Sequence, residues 1–196
     1  ELRVGGQHFH GVEVDTDLSA RRKLKKVAET MKVPISCLAT SCTFTGAQAE
    51  QDEMFMARRV IDLAADFECD KIRVFGGDTP LGMPCDTAVQ RLAEALSKLA
   101  IHARKRRVCV CLETHDHWSD SRLVAKVMSA VNDKYVCVNW DIMHPVRIAG
   151  LSMEESFEAI KPWIRHVHIH DGGAGTGPLK PIGKGVVDHK RAIELL

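Results

Sequence analysis

The chain has 196 residues, 45% hydrophobic and 27% charged, and its 27 Lys and Arg against 26 Asp and Glu leave a formal charge of +1. This is the composition of a folded chain, long enough for one domain over 1–196 with a sizeable core, and it excludes an intrinsically disordered protein. The balanced charge excludes a dedicated nucleic-acid or membrane-surface binder, which needs a basic excess, and no apolar run reaches the roughly 18 residues of a membrane span.

Short β-rich runs alternate with helical periodicity along the whole chain. A first run at 11–14 (GVEV) leads into a helix over 18–31. A second run at 35–39 (ISCLA) precedes a helix over 47–67. The third, 72–75 (IRVF), precedes a helix over 87–105, and the fourth, 108–114 (VCVCLET), a helix over 120–131. The fifth is 136–141 (VCVNWD), with a helix over 153–163. The sixth is 166–171 (HVHIHD). Gly and Pro then cluster at 172–185, which reads as a long surface loop. Asp188 is the expected N-cap of a last helix. Strand–helix alternation without hairpins predicts an α/β fold with a parallel sheet and right-handed crossovers.

An open nucleotide-binding sheet would put a glycine-rich turn after its first strand, and here Asp15-Thr16-Asp17 follows. Gly183-Lys184 lacks the Gly and the Ser or Thr that a phosphate loop needs, having Pro178 and Gly185 at those places. The seven Cys are odd in number and form no C-x-x-C pair. Cys109, Cys111 and Cys137 alternate within apolar runs. They read as small core residues of a reduced, cytoplasmic protein. The start at Glu1, without an initiating Met, reads as a trimmed or processed N-terminus.

Side chains alternate faces along a strand. Val108, Val110 and Leu112 oppose Cys109, Cys111, Glu113 and His115. Val136, Val138 and Trp140 oppose Cys137, Asn139 and Asp141. Val167 and Ile169 oppose His166, His168 and His170, and Ile72 and Val74 oppose Arg73 and Phe75. Each strand has one apolar face for helices and one that turns polar toward its C-terminal end. In a closed barrel that second face points inward, and the C-terminal rim carries the active site. Arg73, Glu113, His115, Asp141, His144, His168 and His170 are thereby gathered. Buried carboxylates need a partner or a metal, and this mixed oxygen and nitrogen set suits Mn²⁺, Mg²⁺, Co²⁺ or Zn²⁺. The competing reading makes Glu113 and Asp141 helix caps or partners of Arg73. His166 reads as a core histidine, His8 and His10 as a solvated loop, His117 and His189 as surface residues, and His102 as part of a basic helix end.

With these residues in hand, the chain resembles the xylose-isomerase-like TIM-barrel superfamily, the sugar-phosphate isomerase/epimerase group. The matching pieces are Lys71-Ile72-Arg73-Val74-Phe75-Gly76-Gly77, Leu112-Glu113-Thr114-His115, Trp140-Asp141-Ile142-Met143-His144-Pro145, Val167-His168-Ile169-His170-Asp171, and Ile182-Gly183-Lys184-Gly185-Val186-Val187-Asp188. The resemblance implies an α/β (β/α)8 TIM barrel that lacks its first and last strands in this chain, the six runs being the second to seventh. A complete barrel of this kind needs about 250 residues. It implies metal ligands at Glu113, Asp141 and His168. The family's fourth ligand, a Glu on the last strand, has no counterpart, and Glu194 on the last helix does not qualify. The endonuclease branch of the fold needs an Asp-x-His pair late in the chain, which is missing after His170.

What the resemblance implies about activity is a divalent-metal-dependent sugar or sugar-phosphate isomerase or epimerase. Glu113 and His115 would move protons, His144 would hold the substrate oxygen, and Arg73 and His170 would bind the substrate. The substrate would be a small polyhydroxy carbonyl compound, with no nucleic acid or membrane partner, and a homo-oligomer stays open. Glu113-x-His115 is also similar to metal-dependent dehydratases of the 3-dehydroshikimate or inosose type, with His115 as base. A third reading is an inactive fragment or sugar-binding module, whose open strand edges another chain would cover.

Overall fold

A computed structural model describes residues 1–5, 11–46 and 50–196. Its strands are β1 (Leu2–Val4), β2 (Gly11–Val12), β3 (Leu38–Ala39), β4 (Lys71–Val74), β5 (Cys109–Glu113), β6 (Val136–Asp141) and β7 (Ile164–His168). Its helices are α1 (Leu18–Thr30), α2 (Glu50–Asp66), α3 (Cys85–Arg106), α4 (Ser121–Val131), α5 (Met143–Arg147), α6 (Met153–Ile160) and α7 (His189–Leu195). All neighbouring strands are parallel, in the order β2-β1-β3-β4-β5-β6-β7. The arrangement is the parallel sheet and helical layer of a TIM-type barrel, with β2 and β7 at its two edges.

The apolar strand faces do what alternation predicts. Ile72, Val74, Val110, Leu112, Val138 and Trp140 are buried in one core with Leu92, Leu96, Leu99 and Val124 from the helices. Trp140 Nε1 donates to Ser156 Oγ at 2.8 Å, and Ser156 Oγ in turn lies 2.8 Å from Ser121 Oγ. That chain of polar atoms joins β6, α6 and α4 inside the core and satisfies the indole N–H. Helix starts follow the capping residues. The Asp17 carboxylate accepts from Ser19 and Ala20 N–H, Asp120 from Arg122 N–H and Asp188 from Arg191 N–H, while Ser152 and Glu155 form a reciprocal capping box.

Three features differ from the sequence expectation. Leu2–Val4 is a seventh strand, and it lies between β2 and β3, so the GVEV run is not beside the ISCLA run. Three residues bounded by Glu and Gly carry no periodic signal; pairing on both sides makes them a strand. Met143–Arg147 is a short helix that the sequence reading left out. The last strand runs over Ile164–His168 rather than 166–171, because it can pair only as far as β6 extends, to the Asp141–His168 match. The expected start of the second helix at 47, like His8 and His10, falls outside the described residues.

A β-bulge between β6 and β7 has consequences for the site. Val138 pairs with Ile164, yet Asn139 pairs with His166 and Asp141 with His168. The extra residue, Arg165, changes the phase of β7, so His166 and His168 share the face of Asn139 and Asp141.

Candidate metal centre and active site

The inward polar face converges as expected. Glu113 ends β5, Asp141 ends β6 and His168 ends β7. Glu113 is 2% exposed and Asp141 0%. One ligand atom from each of Glu113, Asp141 and His168 lies within 4.8 Å of the others. His168 Nδ1 donates to Glu113 Oε1 at 3.1 Å and its Nε2 to Glu1 Oε2 at 2.8 Å. Asp141 Oδ1 accepts the Met143 N–H at 2.9 Å and Oδ2 accepts from His170 Nδ1 at 2.6 Å. The Thr114 hydroxyl bridges the Asp141 backbone, accepting from its N–H and donating to its carbonyl.

Arg73 is buried and braced. Its Nη1 donates to the Thr40 carbonyl, its guanidinium lies 4.0 Å from the Phe75 ring centroid, and its Nε is 2.8 Å from Glu113 Oε2. The last contact is a charge pairing without hydrogen-bond alignment, so Glu113 Oε2 has no hydrogen-bond donor. A buried carboxylate with one oxygen short of a donor, grouped with a second buried carboxylate and an imidazole, fits a hard or borderline divalent cation.

A model of the Xylose isomerase-like TIM barrel family matches residues 3–196. The chain belongs to that family. A comparison with curated protein sequences finds no match. Among solved structures, a D-tagatose 3-epimerase-like protein superposes with a TM-score of 0.82 at 16% identity, over 100% of this chain and 76% of that one. The probable 3-DHS dehydratase AsbF of Bacillus anthracis gives 0.75 at 17% identity, over 90% and 70%. The IOLI protein, solved with a binding zinc atom, gives 0.73 at 16% identity, over 92% and 71%. At such identities the likeness is one of fold.

In this xylose isomerase-like barrel Arg73, His115 and His170 line one cleft, and His144 packs against His115 beside it. His115 follows β5 and its Nδ1 sits 2.5 Å from Asp116 Oδ1. Its ring packs against His144 at 4.1 Å and Phe75 at 4.7 Å between centroids. His144, on α5, has its Nε2 4.0 Å from Asp141 Oδ2. Arg73, Phe75, Glu113, His115, His168 and His170 line one cleft. His166, expected in the core, also lines it and binds Glu1 Oε2 at 2.9 Å. It stays accessible because β7 is an edge strand. His117 is exposed, His189 is half-buried with its Nε2 3.0 Å from the His170 carbonyl oxygen, His102 pairs with Asp62 on the helical layer, and Glu194 pairs with Arg191 on the surface.

Electrostatics separate the histidines. Burial alone would lower the pKa of His168, but hydrogen bonds and charge from Glu1 and Glu113 outweigh it and push it up to about 9. His170 is raised by its bond to Asp141. His115 is raised as well: burial opposes its charge, but Asp116 overrides it. His144 goes the other way, lowered by burial, with the neighbouring His115 adding to the effect against Asp141. Asp141 stays below its usual range, because His170, His144 and the Met143 N–H overcome the effect of burial.

Glu1, Asp116, Thr114 and Asp171 are residues of the site that the sequence reading missed. Asp116 was discoverable, since it directly follows the His115 it holds. Glu1 was not, because only tertiary structure puts it on His166 and His168. Asp171 closes the neighbouring loop by accepting from the N–H groups of Gly172, Gly183, Gly185 and Val187.

Proposed function

We propose that this chain is a divalent-metal-dependent sugar or sugar-phosphate isomerase or epimerase that removes a proton from the carbon beside a substrate carbonyl. The observation that carries this reading is the convergence of buried Glu113 and Asp141 with His168, next to an aspartate-held imidazole, His115. Glu113, Asp141 and His168 would hold Mn²⁺, Mg²⁺, Co²⁺ or Zn²⁺. Such a cation, when bound, supplies Lewis-acid polarisation of the substrate oxygens.

The chain's own groups supply the rest. Asp116 takes the Nδ1 side of His115, which leaves Nε2 facing away from it as the proton acceptor. Glu113, taken up by His168 and Arg73, is a weaker candidate for moving the proton than for holding a cation. His144, kept neutral by burial and by His115, offers a ring nitrogen to a substrate hydroxyl. His170 and Arg73 complete the polar wall, Arg73 chiefly by bracing Glu113. A small polyhydroxy carbonyl compound suits a cleft lined by so many polar side chains.

The His115–Asp116 pair also favours a second reading, a dehydratase of the 3-dehydroshikimate or inosose type. Both reactions begin with the same proton removal and differ in whether a hydroxyl then leaves. The test is to incubate the full chain, loaded with Mn²⁺, with ketohexoses, their phosphates, inosose and 3-dehydroshikimate in deuterated water. The isomerase reading expects solvent deuterium at the carbon beside the carbonyl. The dehydratase reading expects the ultraviolet absorbance of protocatechuate from 3-dehydroshikimate, or loss of water from inosose. Neither exchange nor dehydration with any of them would sink both readings.

A further inference from the structure

Among the described residues, four buried side-chain polar atoms make no hydrogen bond: Arg73 Nε, Glu113 Oε2 and both amide atoms of Asn139. Their residues stand on the neighbouring strands β4, β5 and β6, all on the inward face. Asn139 is 0% exposed. Its neighbours Val138 and Trp140 belong to the helix-side core, so alternation turns Asn139 into the barrel. Its Cα partners are Glu113 on one side and His166 on the other. A fully buried amide with no partner destabilises a fold, and an apolar side chain of similar volume would remove that penalty. The unpaired amide therefore needs a reason, and the nearest one is the unpaired carboxylate oxygen on the adjacent strand.

We propose that Asn139 is a positioning residue for Glu113, its Nδ2 donating to Glu113 Oε2 when Oε1 is given over to a divalent cation. Glu113 Oε1 accepts from His168 Nδ1 in the structure. Glu113 and His168 would give up that hydrogen bond on holding a cation, since a ligating imidazole nitrogen carries no proton. The carboxylate is then oriented only through Oε2. Arg73 cannot turn to align with it, being tied to the Thr40 carbonyl and stacked on Phe75. Asn139, free of other bonds, supplies the donor. Outer-sphere hydrogen bonds of this kind fix the direction of a ligand oxygen.

The inference rests on the metal-centre reading above, and one experiment separates the two. Mn²⁺ affinity is measured on the full chain by competition with a chelating dye, for the natural protein and for Asn139→Leu. Thermal midpoints of both are recorded metal-free. The expected result is an affinity lowered about 10- to 100-fold, with a metal-free midpoint equal to or above that of the natural protein. Asn139→Val is the second variant, to be read in the same way if leucine does not fit. Affinity unchanged within about twofold overturns the proposal. So does an affinity loss accompanied by a lower metal-free midpoint, which makes Asn139 a structural residue only. If the natural protein binds no Mn²⁺, the metal-centre reading fails and this inference with it.

Discussion

At Glu113 both carboxylate oxygens have a neighbour, Arg73 on one side and His168 on the other. At His115 the ring has one nitrogen on Asp116 and the other free of it. Glu113 ends β5 and His115 follows it two residues on, and their surroundings differ. Asp116 adopts φ 50°, a left-handed backbone that aspartate tolerates better than most residues besides glycine. The Ser119 N–H and hydroxyl both donate to its carbonyl and hold it there. Held in this way, Asp116 fixes the His115 ring in one orientation. Replacing the proposed base as His115→Asn is therefore expected to reduce turnover by about 10²–10⁴-fold. Metal affinity should stay near that of the natural protein. Steady-state kinetics together with a metal titration checks both halves; a variant with full turnover would remove His115 from the reaction.

Among the elements, the segment after β7 shows how one carboxylate organises a loop. Asp171 is 2% exposed and accepts four backbone N–H groups, from Gly172, Gly183, Gly185 and Val187. Burial pushes its pKa up, but those donors outweigh burial and hold it at about 2. Gly185 is required beside it, since a Cβ there would run into the Asp171 carboxylate and the Gly172 carbonyl. The native-state pKa lies below the unfolded value of about 3.9. Asp171 therefore stabilises the fold above pH about 4, and that contribution is lost as pH falls toward about 2. Asp171→Asn should lower the thermal midpoint at pH 7 and flatten the fall in midpoint between about pH 4 and 2. Melting curves across that range test it; equal midpoints at pH 7 would show that the loop holds without the carboxylate.

For the whole molecule, seven parallel strands deliver acids and imidazoles from β5, β6 and β7 to one rim. A cation held by the proposed centre would bind the folded chain and would find no preformed site in the unfolded one. Mn²⁺ at about 100 times its dissociation constant should thus stabilise the fold by about 2.7 kcal/mol. The check is a thermal midpoint that rises with Mn²⁺ concentration, falls back with a chelator, and responds weakly in Glu113→Gln. A midpoint indifferent to Mn²⁺, Mg²⁺, Co²⁺ and Zn²⁺ alike would contradict the proposed centre. No helix among the described residues is long and apolar enough to cross a membrane.

The amino-acid sequence by itself determined the alternation of strands and helices, the helix start at Asp188, and the polar face carrying Arg73, Glu113 and Asp141. These are local properties: a two-residue period, a 3.6-residue period and a capping side chain act through near neighbours. Tertiary structure decided the rest. Leu2–Val4 is a strand only because β2 and β3 flank it. Alternation puts His166 and His168 on one strand face, but a bulge that shifts β7 by one residue sets them opposite Asn139 and Asp141. Glu1 meets the same two histidines across 165 and 167 residues of chain. The pairing of Asn139 with Glu113 is equally invisible in the sequence, because strand register is set by neighbouring strands and no local pattern encodes it.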